Sequence, residues 1–187
     1  MRHQLIVLDD FYTNPHEVRG GALQRDFHVS GNYPGMRTDG IAPEFSQALK
    51  TYFEENVVYR PITYWPEGYN TSYQVTTEDD TTWVHHDSTT WAAVLYLNPN
   101  PAKNTGTTIY SLKSSDVYQY EGAETEYNQK PWLADRSLWE PEIVVENRFN
   151  RLICYRGDLY HCSTTAGFGD CKENGRLFQV FFFDTEW

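Results

Sequence analysis

The sequence predicts a mainly β protein, built as a sandwich or barrel, with two helices near the N-terminus. After Arg60, short segments rich in Val, Thr, Tyr, Trp and Phe recur between Gly, Pro and Asn residues, which is typical of strands joined by turns. Before Arg60, two segments carry the capping and spacing signals of helices. The chain has 187 residues, the size of one domain, and a domain of this size buries about 70% of its unfolded surface without needing disulfides.

The first predicted elements are a strand and a helix. Residues 4–8 are interpreted as a short buried strand, because four apolar residues follow one another there. Asn14 can cap a helix and Pro15 suits its first turn, so a helix is predicted from about His16 to Arg25. A double glycine weakens this helix near its middle.

The second helix is predicted to begin near Pro43. Its apolar residues recur at intervals of three or four, as they do in a helix with one apolar face. This stripe consists of Phe45, Leu49, Tyr52, Phe53 and Val57. We expect residues 1–60 to form a strand and a helical brace, with both helices packed against a sheet.

The core of the domain is predicted to lie in residues 61–187. Strands are expected near residues 70–77, 81–87, 91–97, 106–111, 142–147, 151–156, 159–163 and 175–184. Residues 112–141 are predicted to be a long polar insert, which in a compact domain is more often functional than inert. Its Trp132 and Trp139 could line a substrate lid or fix the insert to the sandwich, and we favour the second interpretation.

The composition excludes several classes of protein. Apolar residues make up 40% of the chain, which excludes disorder, and 26 acidic against 15 basic residues give a formal charge of −11, which argues against nucleic-acid binding. No stretch approaches the roughly 20 apolar residues of a membrane helix, and the apolar run near the start is too short for a signal peptide. The cysteines are interpreted as reduced thiols, so a cytoplasmic location is expected. They are Cys154, Cys162 and Cys171.

The most informative motif is His85-His86-Asp87, in the second predicted strand. Residues two apart in a strand point to the same face, so His85 and Asp87 would converge while His86 would point away. Two histidines and one carboxylate on one face of a metal are the ligand set of iron(II) oxygenases. The third ligand would come from another strand, and His161 is the best candidate because three other histidines lie outside the strand region. Those three are His3, His16 and His28.

A single charge lies in the last predicted strand, where residues 175–183 are otherwise nearly continuously apolar. Arg176 must be paired there, because an unpaired buried charge is very costly. Its planar guanidinium suits a carboxylate. A dicarboxylate co-substrate that reaches from a metal to Arg176 would supply one, and an ion pair with Glu173 or Asp184 is the alternative.

Taken together, these residues resemble the iron(II)- and 2-oxoglutarate-dependent oxygenase superfamily, in particular its prolyl-hydroxylase-like and small uncharacterised or phage-type members. The resemblance depends on an ordered set: the HxD motif, a Gly-Thr strand, a distant His, and an Arg 15 positions after that His. It spans nearly the whole chain and is strongest in residues 73–184. The flanking segments that agree with it are Asp9–Tyr12 with Pro15, Trp91–Asn98, Gly106–Tyr110 and Asn150–His161.

The resemblance implies a fold and a set of ligands. The fold would be a double-stranded β-helix, a cupin-like jelly roll with the N-terminal helices bracing one sheet. His85, Asp87 and His161 would bind Fe(II), and Arg176 would hold the far carboxylate of 2-oxoglutarate. Dioxygen would be the oxidant, and the implied reaction is hydroxylation of a substrate with release of succinate and CO₂. Asp87 favours hydroxylation over halogenation, because the superfamily's halogenases replace this residue with a smaller one.

Several points stay open at this stage. Tyr73 matches the position of a tyrosine that helps to hold the far carboxylate in some members, with ordinary sheet packing as the alternative. Phe178 replaces a serine that also contacts this carboxylate in some members, so the second contact is undefined. Arg37 could reach the site, although a solvated loop arginine is the interpretation we favour. Cys162 is expected to point away from its neighbour His161 and to be a buried small residue.

The sequence leaves the substrate undefined. A small molecule or a peptide is expected as the substrate, nucleic acid and membrane are not expected as partners, and a homodimer is left open. Two other functions are alternatives to the oxygenase. One is a cupin-like metal enzyme that does not use 2-oxoglutarate, and the other is a jelly-roll binding module without catalysis.

Overall fold

The computed structural model describes residues 5–113 and 131–186. Within these ranges the protein is mainly β, as predicted. The helices are α1 (Pro15–Leu23) and α2 (Pro43–Asn56), and two short 3₁₀ turns cover Pro131–Ala134 and Arg136–Leu138. The strands are β1 (Leu5–Leu8), β2 (Val29–Gly31), β3 (Tyr33–Arg37), β4 (Ile62–Tyr64), β5 (Tyr73–Thr76), β6 (Trp91–Tyr96), β7 (Thr107–Leu112), β8 (Trp139–Val145), β9 (Leu152–Arg156), β10 (His161–Ser163) and β11 (Arg176–Thr185).

The strands form a larger and a smaller antiparallel sheet. The larger sheet has the order β1-β9-β6-β11-β5-β3-β2, and β4 pairs with β11 outside this path. The smaller sheet has the order β10-β7-β8. β1 to β6 all lie in the larger sheet, and from β6 onward the chain crosses between the sheets four times, which stacks the two sheets into a sandwich.

The larger sheet is buried on both faces, and β11 shows how its residues divide between them. Leu177, Phe181 and Phe183 pack in one core with Ala22 of α1 and Phe53 of α2. The alternate residues form a second core with the smaller sheet, because successive side chains of a strand point to opposite faces. The members of this second core include Phe178, Val180, Ile109 and Val145. The pocket described below opens within this second layer.

The prediction of a regular strand over residues 81–87 is wrong. Only His85 forms a ladder pair there, with His161 of β10, through two backbone hydrogen bonds of 2.9 and 2.8 Å. The neighbouring amides bond elsewhere: Val84 N–H donates to the carbonyl of Leu133, and Asp87 N–H donates to that of Gly157. The segment is extended but is held by three different partners, which is why no continuous ladder forms.

The two helices begin where the sequence predicts, at Pro15 and Pro43. The predicted apolar stripe of α2 is correct for three of its five residues: Phe53 and Val57 are buried, and Leu49 packs against the same core. Phe45 is 64% exposed and Tyr52 is 40% exposed. These two side chains line a surface groove beside the chain segment around Phe11, which contacts this side of the helix.

The hairpin formed by β2 and β3 was not predicted. Its sequence contains Pro34 and Gly35, which usually mark loops. It is a strand because it pairs with β5, with Met36 opposite Val75 and Arg37 opposite Gln74. Gly35 has a φ of +72°, and a Cβ there would lie 2.0 Å from the carbonyl oxygen of Val75, so this close approach requires glycine.

The predicted insert at 112–141 is described only at its ends. β7 ends at Leu112, and Trp139 begins β8. Trp139 is 2% exposed and lies edge-on to Tyr160 at 4.9 Å, so it fixes the end of the insert to the smaller sheet as we favoured. The side chain of Trp132 and residues 114–130 lie outside the described residues, and so does the prediction of a lid.

Two other features bear on the sequence predictions. Within the described ranges, neither helix combines the length and the apolar character needed to cross a membrane. All three cysteines are free thiols, and Cys162 is buried as predicted.

Candidate metal centre

The extended segment of residues 81–87 and strand β10 bring together His85, Asp87 and His161 at one end of a pocket. One ligand atom from each of the three side chains lies within 4.8 Å of the other two. His161 Nε2 is 3.3 Å from Asp87 Oδ2, and the two imidazole rings lie 4.4 Å apart. His86 is buried outside this group, as predicted from its position between the other two residues. A neutral imidazole pair with one carboxylate on one face fits a divalent iron.

Both histidines are oriented by the carbonyl group two residues earlier. His85 Nδ1 lies 3.1 Å from the carbonyl oxygen of Trp83, and His161 Nδ1 lies 2.8 Å from that of Leu159. A proton on Nδ1, where it can be donated to the carbonyl oxygen, would leave the lone pair of Nε2 in each ring for a metal. This is the second contact that metal-binding histidines usually have.

Asp87 is positioned by its backbone. Its N–H donates to the carbonyl of Gly157 at 2.7 Å, and the N–H of Gly157 donates to the carbonyl of Thr90 at 2.9 Å. A Cβ on Gly157 would lie 2.1 Å from the carbonyl oxygen of Thr89 and 3.3 Å from Asp87 Cβ. Glycine is therefore required where the chain passes between β9 and β10, directly behind the carboxylate.

Burial and neighbouring charge hold His85 and Asp87 in the forms that bind a metal. Burial, and then His161, lower the pKa of His85 to about 4. Burial raises the pKa of Asp87. Its neighbours lower the pKa by more, so the net shift is downward: His161 acts through its charge and a hydrogen bond, and His85 and Arg37 act through their charges. At neutral pH His85 is therefore neutral and Asp87 ionised, as metal ligands must be.

Arg176 lies at the other end of the pocket and is 1% exposed. Its Nε donates to the carbonyl of Thr105 at 2.8 Å, and its Nη2 donates to that of Gly106 at 3.2 Å. Its Nη1 is buried with no partner among the described residues. Burial lowers the pKa of this guanidinium, and Tyr96 opposes the shift.

The predicted alternative for Arg176, an ion pair with Glu173 or Asp184, is wrong. Arg176 takes part in none of the ion pairs found among the described residues. Asp184 instead accepts hydrogen bonds from the backbone and side chain of Thr90. Among the described residues, the charge of Arg176 faces carbonyl groups and two aromatic rings. Its guanidinium carbon lies 4.4 Å from the centre of the Phe178 ring and 5.5 Å from that of the Tyr96 ring. A bound carboxylate would supply the missing negative charge.

One pocket is lined both by the three candidate metal ligands and by Arg176. Tyr155 lies on its wall, with its ring 4.6 Å from that of His161. Phe178, Val180 and Phe182 of β11 supply much of the apolar lining. The pocket therefore joins a possible metal site to a buried cation within one largely apolar space.

Tyr73 is not in this pocket, which contradicts its predicted role in holding the co-substrate. It packs in the core between the larger sheet and the helices, on the other face of β5. The register places it opposite Gln179, whose side chain accepts a hydrogen bond from Tyr12 on the helix side. Gln74, the next residue of β5, lines the pocket instead.

The tyrosine near Arg176 is Tyr96, which the sequence analysis missed. It is fully buried, and its hydroxyl donates to Thr107 Oγ1 at 2.8 Å. Strand alternation from Trp91 could have placed it on the inner face of β6, since Trp91 packs in the core on the helix side.

Arg37 is the second residue that sequence reasoning misplaced. It is not a solvated loop residue, because it lies on β3 and lines the pocket close to Asp87. Burial lowers its pKa to about 10, against the opposing effects of Tyr33 and Asp87. No local signal distinguishes it from a loop arginine, since only the pairing of β3 with β5 carries it into the pocket.

The sequence of the chain matches one known protein family over nearly its whole length. Residues 1–183 match the model of a protein family described as a family of unknown function, DUF6445. The chain belongs to the DUF6445 family. No curated protein is significantly similar in sequence to this DUF6445 chain.

Solved structures resemble the DUF6445 chain over nearly its whole length. HygX from Streptomyces hygroscopicus, solved with nickel, 2-oxoglutarate and hygromycin B bound, has a TM-score of 0.62 at 12% identity, over 99% of this chain and 84% of its own. A Pseudomonas putida prolyl-4-hydroxylase has a TM-score of 0.57 at 12% identity, over 98% and 94%. The α-ketoglutarate-dependent epimerase SnoN from nogalamycin biosynthesis has a TM-score of 0.51 at 13% identity, over 97% and 79%.

The predicted double-stranded β-helix is therefore confirmed for the DUF6445 chain, and so is a resemblance in fold to proteins that bind or depend on 2-oxoglutarate. At such low identity the likeness shows the fold, and the reaction has to be argued from the site.

Proposed function

We propose that this protein is an Fe(II)- and 2-oxoglutarate-dependent dioxygenase that hydroxylates a small molecule or a peptide. One observation carries the proposal. A single pocket has three preoriented metal ligands at one end and a buried arginine with an unpartnered nitrogen at the other. A dicarboxylate that binds a metal through one end would bring its other carboxylate to that arginine.

The proposal assigns a task to each end. His85, Asp87 and His161 would hold the iron through the two Nε2 atoms and a carboxylate oxygen. Arg176 would hold the far carboxylate of 2-oxoglutarate, with Tyr96 and Thr107 as its polar neighbours. When bound, iron and 2-oxoglutarate supply an O₂-dependent oxidation that converts a C–H bond to C–OH and releases succinate and CO₂. The apolar wall formed by Phe178, Val180 and Phe182 would exclude water from this reaction.

The solved neighbours support the proposal without deciding it. HygX was crystallised with nickel and 2-oxoglutarate, and another neighbour is a prolyl-4-hydroxylase. At 12% or 13% identity, the substrates of these neighbours do not indicate the substrate of this chain. The formal charge of −11 favours a small molecule or a peptide over nucleic acid as the substrate.

The proposal is tested by comparing two α-keto acids on the Fe(II)-loaded protein without oxygen. Pyruvate offers the same metal-binding end as 2-oxoglutarate but lacks the far carboxylate, so it cannot reach Arg176. We expect both to give the visible charge-transfer band of a metal–keto acid chelate. We expect 2-oxoglutarate to bind about 10- to 100-fold more tightly, the effect of a charge-assisted carboxylate contact. Admission of oxygen should then yield succinate from 2-oxoglutarate.

Two other outcomes would replace this function. Stoichiometric metal binding without any preference for 2-oxoglutarate, and without succinate, would favour a cupin-like metal enzyme of another kind. Failure to bind iron, nickel, manganese or zinc in stoichiometric amounts would favour a non-catalytic binding module.

A further inference from the structure

A second arginine lies in the pocket on the side of the metal ligands. Arg37 is partly buried, and its guanidinium carbon lies 3.7 Å from the centre of the Tyr33 ring and 5.6 Å from that of Phe182. Its Nε donates to Gln74 Oε1 at 2.7 Å. A guanidinium that lies over aromatic rings and is bonded at Nε has its plane and its direction fixed.

Gln74 is itself held in one orientation. Its amide nitrogen donates to the carbonyl of Pro34 at 2.6 Å, while its oxygen accepts from Arg37. Both polar atoms of the side chain are thus in use, and β3 and β5 are joined through this contact as well as through their ladder. Gln74 is a positioning residue for the guanidinium of Arg37.

The outer part of the Arg37 guanidinium has no protein partner. Within the described ranges, neither of its terminal nitrogens has a hydrogen bond, and Arg37 belongs to none of the ion pairs. These two nitrogens form the fork that binds a carboxylate through two parallel hydrogen bonds. The structure therefore keeps a preoriented carboxylate-binding group without supplying the carboxylate.

Arg37 lines two adjoining spaces. One is the pocket that also contains Arg176, and the other is a recess that Arg37 shares with Tyr69, Ser88 and Thr89. Asp87, Tyr33 and Phe182 border both spaces, whereas Arg176 borders only the first. We call the second space the outer recess. Arg37 and Asp87 stand where the two spaces meet, so a molecule in the outer recess would lie beside the metal and away from Arg176.

The charges of the pocket do not balance without a further anion. A divalent metal and the two arginines would contribute four positive charges, whereas Asp87 and 2-oxoglutarate would contribute three negative charges. One positive charge remains, in a protein whose formal charge is −11. A substrate with one carboxylate would neutralise it, while a phosphate monoester carries about 1.5 to 2 negative charges and would exceed it.

On these observations, and resting on the proposed function, we propose that the outer recess binds the substrate through a carboxylate that pairs with Arg37. The substrate class is then a carboxylic acid, either a small molecule or a peptide with a free carboxylate. Tyr33 and Phe182 would contact the carbon skeleton next to that group.

The test uses three probes of similar shape on protein loaded with Ni(II) and saturating 2-oxoglutarate. Benzoate carries one charge, phenyl phosphate carries up to two, and benzamide carries none. We expect wild-type protein to bind benzoate at least about tenfold more tightly than benzamide, and more tightly than phenyl phosphate, in ligand-observed NMR titrations. We expect the preference over benzamide to fall below about twofold in Arg37→Gln and to survive in part in Arg37→Lys.

Two controls accompany these variants. Arg60→Gln makes the same change of net charge at an exposed arginine, and it should leave the benzoate preference as in the wild type. A parallel sample of each variant with Fe(II) in place of Ni(II), kept without oxygen, should show the keto acid chelate band, which establishes that 2-oxoglutarate is bound and that the variant is folded.

Several results would overturn the inference. Equal binding of benzoate and benzamide by wild-type protein would do so, as would no benzoate binding in the millimolar range, or a preference that persists in Arg37→Gln. Tighter binding of phenyl phosphate than of benzoate would replace the carboxylate by a phosphate. A loss of 2-oxoglutarate binding in Arg37→Gln as large as in Arg176→Gln would assign Arg37 to the co-substrate instead.

Failure of the proposed function gives a different result. In that case the chelate band is absent from wild-type protein that has been loaded with Fe(II) and 2-oxoglutarate without oxygen. The benzoate and benzamide titrations on protein with Ni(II) alone, in wild type and Arg37→Gln, then decide whether Arg37 is a carboxylate site.

Discussion

The two ends of the inner pocket are built on different principles. At the metal end every ligand has a second contact from the chain: a carbonyl for each imidazole, and the Gly157 backbone for Asp87. At the far end Arg176 has carbonyl partners for two of its nitrogens and none for the third. The side chains of the metal end are thus held in place before anything binds. The far end lacks one hydrogen-bond partner, which only a bound anion would supply.

This difference has an energetic meaning. A buried donor without a partner costs about 1–3 kcal/mol, and more when it is charged. The protein carries that cost at Arg176, where a hydrophobic residue would fill the same strand position without it. A binding site for an anion explains the cost, and variants that affect one end alone can test whether the ends are independent.

Asp87→Ala should have the largest effect, at the metal end. Loss of a direct ligand should weaken divalent metal binding by at least about 100-fold, since even outer contacts of metal sites are worth 10- to 100-fold. The chelate band should disappear with the metal. Metal affinity is measured by competition with a chelator of known affinity.

Asp26→Ala serves as the matched control, because the side chain of Asp26 is 87% exposed and lies outside the metal-ligand group. It should retain the wild-type metal affinity. Unchanged metal affinity in Asp87→Ala would show that Asp87 is not a metal ligand. The contrast between a metal end and an Arg176 end would then have no basis.

Arg176→Gln should separate the two ends. We expect metal affinity to stay within about threefold of wild type, because Arg176 touches none of the ligands, while the preference for 2-oxoglutarate over pyruvate falls by about 10- to 100-fold. The measurement is the anaerobic titration of the chelate band with each keto acid. A variant that loses metal and 2-oxoglutarate together would show that the ends are coupled.

Gly157→Ala tests how firmly the metal end is fixed by its backbone. The added Cβ would meet the Thr89 carbonyl at 2.1 Å, so the segment that carries Asp87 must move. We expect metal affinity to fall by about tenfold and the free energy of unfolding to fall by about 1–3 kcal/mol. Chelator competition and denaturant unfolding measure the two effects.

Gly20→Ala, in α1, is the matched control for this substitution. A Cβ at Gly20 would meet nothing within 4 Å, and alanine favours a helix over glycine by about 0.5–1 kcal/mol. It should therefore stabilise the protein and leave metal binding unchanged. If Gly157→Ala behaved in the same way, the close approach behind Asp87 would not matter for the metal.

The convergence of His85 and Asp87 could be predicted from the sequence, because it requires only an extended backbone. Residues two apart share a face in any extended segment, so His85 and Asp87 converge although no regular strand forms there. Arg176 could be predicted because a charge in a buried strand always needs a partner. Both inferences depend on local geometry alone.

The errors concern features that long-range pairing decides. The larger sheet is buried on both faces, so apolar alternation does not tell which face of β5 lines the pocket, and Tyr73 was placed on the wrong one. Arg37 lies in a hairpin whose Pro and Gly predict a loop, and its strand exists only through pairing with β5. The register of distant strands decides both positions, and no local pattern in the sequence encodes it.

Tyr96→Phe should have the smallest effect and should be confined to the far end. The substitution removes the hydroxyl that bonds Thr107 but keeps the ring beneath Arg176, so the arginine stays charged and in place. Tyr96 is not among the residues that line the pocket, so it acts as a positioning residue through Thr107 and Arg176. Loss of one neutral hydrogen bond, about 1 kcal/mol, should lower 2-oxoglutarate affinity by about fivefold and leave pyruvate affinity unchanged.

Tyr59→Phe is the control for this change, because Tyr59 is 77% exposed and far from the pocket lining. It should affect neither keto acid. A purely structural role of Tyr96 would lower the affinities for 2-oxoglutarate and pyruvate alike, whereas a loss restricted to 2-oxoglutarate requires that the hydroxyl act, through Thr107 and Arg176, at the end of the pocket that holds the far carboxylate. The ratio of the two affinities therefore separates positioning of the co-substrate from general packing, even where the total effect is small.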